Sequence, residues 1–463
     1  MLQRFKDKYI GDRAFYSYVL GLAIPMILQN VVTNAVSLLD NVMVGQIGTE
    51  QMSGVAIANQ FIFVFNVTIF GAVSGPGIFG AQFYGKGDHK GQMHTFRFRL
   101  IIASLLTVLA GLLFYYKDTE LISLYLHDGQ AGDITLALNY GKEYLRIMLI
   151  ALLPFAIGQT YSSVVRECGE TKIPMIATFS AVLINLTLDY GLIFGKLGMP
   201  KLGVKGAAIA TVIAKSIESL VVIIWAHTHA ERNKYIEGVY RSLYIPGTLA
   251  KQMIAKGIPL LANEFLWSAG MAVVTQCYAL RGLDVVASQN IAGTITNLFG
   301  VVHLQLGASI AIIVGQKLGA GRLDEAKDAD NKMLALSVGI CAVMSVLLMP
   351  VAKVFPQIYN TQDEIKALAS FFIMIQALVM PLWAYSNAAY FTLRSGGKTG
   401  ITFLFDSVFT WCIMIPTVFI LAKFSTLDIR AVFVITTYTE IAKVICGYFM
   451  IKSNKWMVNL TNI

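Results

Sequence analysis

Charged residues are scarce in this chain, at 14% of 463 residues against about 25% in an ordinary soluble domain. A soluble chain of this length would split into roughly two or three domains joined by polar linkers. No such linker is present, and no Pro/Gly/Ser-rich or low-complexity stretch. The five cysteines (Cys168, Cys277, Cys341, Cys412, Cys446) are odd in number, scattered and never in a CxxC pair. That pattern excludes a disulfide framework or a cysteine metal site and leaves small apolar core residues. HExxH and GxSxG are missing, and Gly397-Lys398-Thr399 lacks the glycine that a phosphate-binding loop needs at position 392, where Thr stands. Neither hydrolase signature nor nucleotide site follows, and the chain does not read as an enzyme. Residues 1–16 mix charged and aromatic side chains, and the first apolar run is too long for the core of a cleavable signal.

Apolar residues make up 56% of the chain, in runs of 20 or more from one end to the other. Each run can cross a hydrocarbon core of roughly 30 Å as a helix. Twelve spans are expected near 17–44, 52–83, 97–116, 140–163, 173–194, 203–227, 249–280, 285–316, 332–352, 367–392, 400–421 and 428–451. The fold class is therefore an all-α membrane protein. The net charge of +9 is distributed unevenly. Counted by loop, the termini and the loops after even-numbered spans carry 23 Lys and Arg, those after odd-numbered spans carry 11, and Lys215 and Lys443 inside spans complete the 36. This is the positive-inside bias, and it places both termini in the cytoplasm of a cell with the chain in the plasma membrane. No nucleic-acid motif accompanies the charge, so the expected surroundings are the lipid bilayer, with no nucleic-acid partner.

The chain matches itself. At an offset of 234, residues 23–88 align with 257–322 without a gap, with about a dozen identities in 66 positions. Pro25 falls on Pro259, Gly48 on Gly282, Gln82 on Gln316, Gly85 on Gly319 and Gly87 on Gly321. At an offset of 228, Arg166 meets Arg394, Gly169 meets Gly397, and Ile213-Ala214-Lys215 meets Ile441-Ala442-Lys443. The expected organisation is two pseudo-symmetric six-helix bundles, residues 1–228 and 249–463, joined by a cytoplasmic loop at 229–248. Six is even, so both halves enter the membrane in the same direction, a parallel repeat typical of secondary transporters whose halves rock against each other. A membrane enzyme or receptor has no need of such duplication.

Asp40 lies inside the first span with Asn30, Thr33, Asn34, Ser37 and Asn41. At 100° per residue these fall within roughly a third of the helix circumference, one polar stripe on an apolar helix. A carboxylate there costs about 2.5–3.5 kcal/mol on insertion scales. A carboxyl kept there at that cost suits holding and releasing a proton, as a proton-coupled carrier requires. The alternative is a permanently neutral acid that links helices. Asp189, with Asn185 one turn earlier, makes a similar case on the fifth span, and Glu264 is the carboxylate of the seventh. Lys215 with Glu218, and Glu440 with Lys443, are spaced to neutralise each other at i,i+3. Pro25 removes a backbone hydrogen bond and makes the first span a candidate hinge.

Several segments carry a family likeness: AIPMILQNVVTNAVSLLDNVMVGQIG at 23–48, the helix ends Gln82–Asp88 and Gln316–Arg322, VVRECGETKIP, TLRSGGKTG, and NLTLDYGLIFG followed by LGVKGAAIAT. Their order across twelve spans resembles the MATE family of multidrug and toxic compound extrusion transporters, in its bacterial NorM/DinF-like branches. The resemblance implies two six-helix lobes and antiport of small amphipathic, mostly cationic compounds against H⁺ or Na⁺, with no other cofactor. It also implies that Asp40, Asn185 and Asp189, joined by Thr211, form the cation-coupling cluster, and that a coupling sodium would lie at Asp40 and Asp189. Glu264 stands as the candidate substrate carboxylate, with Asn34, Ser37, Asn387 and Tyr385 as further substrate contacts. Span ten lacks the acidic residue that some NorM-type members use for sodium beside the seventh-span carboxylate. The alternative is a flippase for lipid-linked precursors or polysaccharides, but an anionic headgroup calls for Arg and Lys in the cavity, not carboxylates. The expected assembly is a monomer.

Overall fold

The computed structural model describes residues 8–126 and 133–462, apart from the side chains of Leu38 and Asn41, so that member of the stripe lies outside the described residues. Among the described residues there are helices and connecting loops and no strands. The spans appear as α1 (Arg13–Gly45), α2 (Thr49–Lys86), α3 (His89–Tyr116), α4 (Ile134–Glu167), α5 (Lys172–Phe194), α6 (Val204–Thr228), α7 (Gly247–Ala279), α8 (Leu283–Gly319), α9 (Leu323–Val354), α10 (Asp363–Ser395) and α11 (Thr399–Phe424). The twelfth, α12, is two helical pieces, Ile429–Tyr438 and Glu440–Lys452. Each of α1 to α11 is long and apolar enough to cross a membrane. α12 divides in a threonine-rich stretch, where Thr436 and Thr439 turn their hydroxyls onto the carbonyls of Val432 (2.8 Å) and Thr436 (2.6 Å). Thr439 keeps helical dihedrals (φ −56°, ψ −24°), so the two pieces follow one another as one span.

The 33 residues of α1 and 38 of α2 give lengths of roughly 50 and 57 Å at 1.5 Å per residue, well beyond the bilayer core. Such helices tilt or extend into water. α1 stays helical through Pro25. A short helix, Asp118–Ser123, joins α3 to α4. After α6 the chain makes two 3₁₀ turns, Lys234–Ile236 and Val239–Arg241. Arg97 holds them by donating to the carbonyls of Val239 (2.8 Å), Gly238 (3.0 Å) and Tyr244 (3.2 Å).

Packing divides the chain into two compact units. Unit 1 comprises Met1–Ile27, Ala81–Asp88 and Gln252–Ile463; unit 2 comprises Leu28–Gly80 and His89–Lys251. The first half of α1 and the last turns of α2 therefore belong with the C-terminal half of the sequence. The core of unit 1 includes Val274, Cys341, Phe372, Met380 and Phe433, with the rings of Phe372 and Phe433 stacked at 4.0 Å. That of unit 2 includes Phe65, Ile69, Tyr144, Leu145 and Ala208. Within unit 1 the repeat-equivalent ends of α2 and α8 cross at two glycines. A Cβ on Gly85 would run into the carbonyl of Gln316, and one on Gly319 into that of Gln82. Gln82 also ties down the C-terminal tail, donating to the carbonyls of Ser395 (2.9 Å) and Val458 (3.1 Å) and accepting from the Leu460 amide (2.7 Å).

Candidate functional site

In unit 2 the helices bring Asp40 on α1 against Asp189 on α5, with their carboxyl groups within side-chain hydrogen-bonding reach. Two carboxyls make such a bond only when one holds a proton, since two carboxylates have no donor and repel. Asn185, one turn before Asp189, is in reach of it. Tyr144 from α4 contacts Asn59 of α2 and Thr211 of α6 through its hydroxyl, beside both aspartates. The site is deeply set: Asp189 is 1% exposed, Asn185 6% and Tyr144 5%. Asp40 Oδ1, Asp189 Oδ1 and Asn185 Nδ2 are all buried without a hydrogen-bond partner among the described residues. Buried polar atoms are normally satisfied, and exceptions mark strain or a missing ligand. Two carboxyl oxygens left open beside an amide and hydroxyls form an oxygen-rich setting suited to a proton or a hard monovalent cation. α5 then ends at Gly195, whose left-handed φ of 70° lets the chain turn away.

A second polar layer lies along the same helices, and both halves contain it. In unit 2, Arg166 donates to Gln29 Oε1 (2.9 Å), Gln29 to Thr178 Oγ1 (2.7 Å), and Thr178 to Glu218 Oε1 (2.5 Å), while Lys215 pairs with Glu218 at 2.9 Å. Gln29, Lys215 and Glu218 border a cavity of about 40 Å³. In unit 1 the repeat equivalents are Arg394, Asn263, Asp406 and Lys443. Asn263 donates to Asp406 Oδ2 (3.1 Å) and Lys443 to Asp406 Oδ1 (2.6 Å), with Tyr390 between Asn263 (3.4 Å) and Arg394. Lys443 thus takes its ion-pair partner from α11, while Glu440, three residues away, adds only a longer-range negative charge. Glu264 lies within electrostatic range of Arg394 and Asp406 of this layer.

The Asp40–Asp189 site has no such twin. The repeat equivalents of Asp40, Asn185, Asp189 and Tyr144 are Val274, Ile413, Thr417 and Phe372, and Val274 and Phe372 belong to the apolar core of unit 1. A layer present in both halves reads as architecture; a buried Asp189 beside a half-buried Asp40, present in one half, reads as a site. Of the other sequence candidates, Thr211 joins the Asp40 cluster through Tyr144. Asn34 and Ser37 are exposed on α1, with Ser37 donating to the Thr33 carbonyl at 3.0 Å. Asn387 donates to the Trp383 carbonyl (3.0 Å), and Tyr385 lines a separate cavity with Asp330. Sequence reasoning missed Asp406, Asn59 and Tyr144. Asp406 was findable by the rule that selects Asp40, a carboxylate inside an apolar span; a tyrosine or asparagine alone carries no such signal.

A family model described as MatE matches residues 25–191 and 259–420 of the chain. The chain is similar to the "Probable multidrug resistance protein NorM" of Thermotoga maritima, at 23% identity over 415 residues covering 89% of this chain and 86% of that protein. It is similar also to the "Probable multidrug resistance protein NorM" of Pasteurella multocida, at 24% over 407 residues, 88% of this chain and 86% of the other. Among solved structures, the crystal structure of MATE in complex with MaL6 has the same fold, with a TM-score of 0.84, 19% identity, and coverage of 96% of this chain and 98% of that one.

Proposed function

Because the chain belongs to the MatE family of membrane transporters, we propose that it is a secondary antiporter that exports amphipathic, mostly cationic organic compounds in exchange for H⁺ or Na⁺ by alternating access. The curated relatives are named as multidrug resistance proteins, which supports the substrate class. The observation that carries the coupling reading is the approach of half-buried Asp40 to buried Asp189, incompletely hydrogen-bonded and confined to one half of the repeat. With Asn185 and Thr211, these acids take the coupling cation. Binding a cation there removes net charge from a low-dielectric site and favours one arrangement of the surrounding helices over another. Substrate and cation favouring different arrangements is the thermodynamic content of antiport, since a ligand shifts an equilibrium only by its differential affinity.

Asn34 and Ser37, exposed on the stripe before Asp40, are the substrate contacts assigned to unit 2. Glu264, with Arg394 and Asp406 beside it, is assigned to the polar layer and to long-range attraction of cations. The helix α1 changes unit after Ile27, two residues past Pro25, which supports Pro25 as the hinge. The protein works as a monomer in the plasma membrane with both termini cytoplasmic, as the Lys/Arg distribution favours. Purified protein in liposomes, given a cationic dye under a pH gradient or a sodium gradient separately, should move dye under one of them. Asp40→Asn, which imitates permanent protonation, should insert normally and move none. Gradient-driven transport by Asp40→Asn at the wild-type rate would remove the assignment.

A further inference from the structure

A cavity of about 870 Å³ lies within unit 1, away from the polar layer, walled by α9, α10, α12, the start of α1 and the C-terminal tail. Its floor is apolar: Leu334, Val338, Ile340 and Val343 of α9 line it. That strip continues along α9 to Val346 (64% exposed) and Leu347 (53% exposed), an open track for a hydrocarbon chain. The inner end is polar. Asp330, 1% exposed, forms part of the wall and accepts a 2.5 Å hydrogen bond from Thr392. Tyr9, Tyr385 and Tyr448 line the same cavity, so one carboxyl and three aromatic rings border one space. Lys8, Lys327 and Lys452 also line the cavity and are exposed, and none of the three is ion-paired among the described residues. Lys8 sits 5.0 Å from the Tyr9 ring and Lys452 5.5 Å from that of Tyr448.

We propose that this cavity binds one phospholipid with an ammonium-bearing headgroup, of the phosphatidylethanolamine type. The ammonium meets Asp330 and the rings around it, the phosphate meets Lys8, Lys327 and Lys452, and an acyl chain follows the apolar strip of α9. Lysines alone would select an anionic headgroup. A buried carboxyl behind them selects against net negative charge and for a cation, and ring faces add to that attraction. Only a zwitterionic amphiphile satisfies both ends and the apolar track. The three lysines come from the N-terminus, the segment after the eighth span and the end of the twelfth, which the charge count assigns to one side of the membrane, so one leaflet supplies the lipid. This proposal does not depend on the coupling reading.

The test uses the full chain, purified, stripped of lipid, and offered equal amounts of phosphatidylethanolamine and phosphatidylglycerol, with bound lipid read by native mass spectrometry. One ethanolamine lipid should be retained per chain, in preference by about tenfold, the scale of one charge-assisted contact. Asp330→Asn keeps an acceptor for Thr392 and should equalise the two lipids. Val343→Trp, which fills the apolar track from its open side, should abolish retention of both. If Asp330→Asn fails to fold, the surface pair Lys327→Glu and Lys452→Glu should weaken retention of both lipids. Equal retention of the two lipids by the wild type overturns the proposal. So does retention unaffected by these variants, or displacement of the lipid by tetraphenylphosphonium, which would make the cavity a site for organic cations.

Discussion

Asp406 and Lys443 lie 2.6 Å apart with 16% and 13% of their side chains exposed, and Lys443 stands 5.3 and 5.8 Å from the rings of Phe405 and Phe409. Breaking a buried pair by removing one partner costs about 3–5 kcal/mol, whereas replacing both by apolar side chains is often neutral. Asp406→Asn is therefore expected to lower the unfolding temperature in detergent, and adding Lys443→Met to restore most of it, as followed by a thermal-shift assay. An Asp406→Asn variant as stable as the wild type would show that the pair contributes nothing. The more exposed pair Lys215–Glu218, at 33% and 21%, should respond less. Sequence spacing finds Glu440, whose charge does act on Lys443, but misses the ion-pair partner Asp406, because the i,i+3 rule sees one helix and that partner sits on another. Asp40 was legible for the opposite reason: a polar stripe on its own helix needs no knowledge of packing. Tyr144 reaches the aspartates, and Asn59 reaches Tyr144, only through the packing of α4 and α2, which no single-helix pattern encodes.

Helices were the most legible elements, since a run of 20 or more apolar residues in lipid has little choice but to satisfy its backbone internally. Their interiors were not. α11 winds as π-helix over Leu404–Val408 and Thr410–Met414, so its side-chain register departs from the α-helical period around Asp406. Thr410 caps the loosened turn by donating to the Asp406 carbonyl (2.9 Å). Such π segments are frequent at functional positions and are invisible to a 3.6-residue template. Outside the spans, the helix Asp118–Ser123 is anchored by Asp118, which is ion-paired with Arg146 (2.8 Å) and Lys142 (3.7 Å). Burial acts to raise the pKa of this carboxyl, but hydrogen bonds from Thr119 and Arg146 and the charges of Lys142 and Arg146 outweigh it and hold it below the usual carboxylate value. A folded-state value below the unfolded one stabilises above the unfolded value, and that stability is lost as pH falls through the folded value. Hydrogen exchange at 118–126, corrected for intrinsic rates, should therefore accelerate in strong acid, and Asp118→Asn should show the same acceleration at neutral pH. Unchanged protection in the variant would mean that apolar packing alone holds this helix.

At the scale of the whole molecule, the sequence repeat aligns Arg166 with Arg394 and Lys215 with Lys443, and these residues stand in the polar layers of the two units. It did not show that α1 contributes to both packing units, because a chain position says nothing about which core a helix end joins. The proposed topology predicts that Arg232→Cys, in a background with the exposed Cys412 and Cys446 replaced, resists an impermeant thiol reagent applied to intact cells. Ready labelling from outside would invert the orientation. Coupling is the central claim, and equilibrium binding of a cationic dye to the purified protein tests it most directly. Dye affinity of the wild type should weaken as the coupling cation, H⁺ or Na⁺, is raised, and dye binding should release that cation. Asp40→Asn should bind dye with an affinity independent of both ions, and Asp189→Asn should lose most of the dependence. If Asp40→Asn and Asp189→Asn each keep the wild-type dependence on pH and sodium, the Asp40–Asp189 contact is not where the coupling cation binds.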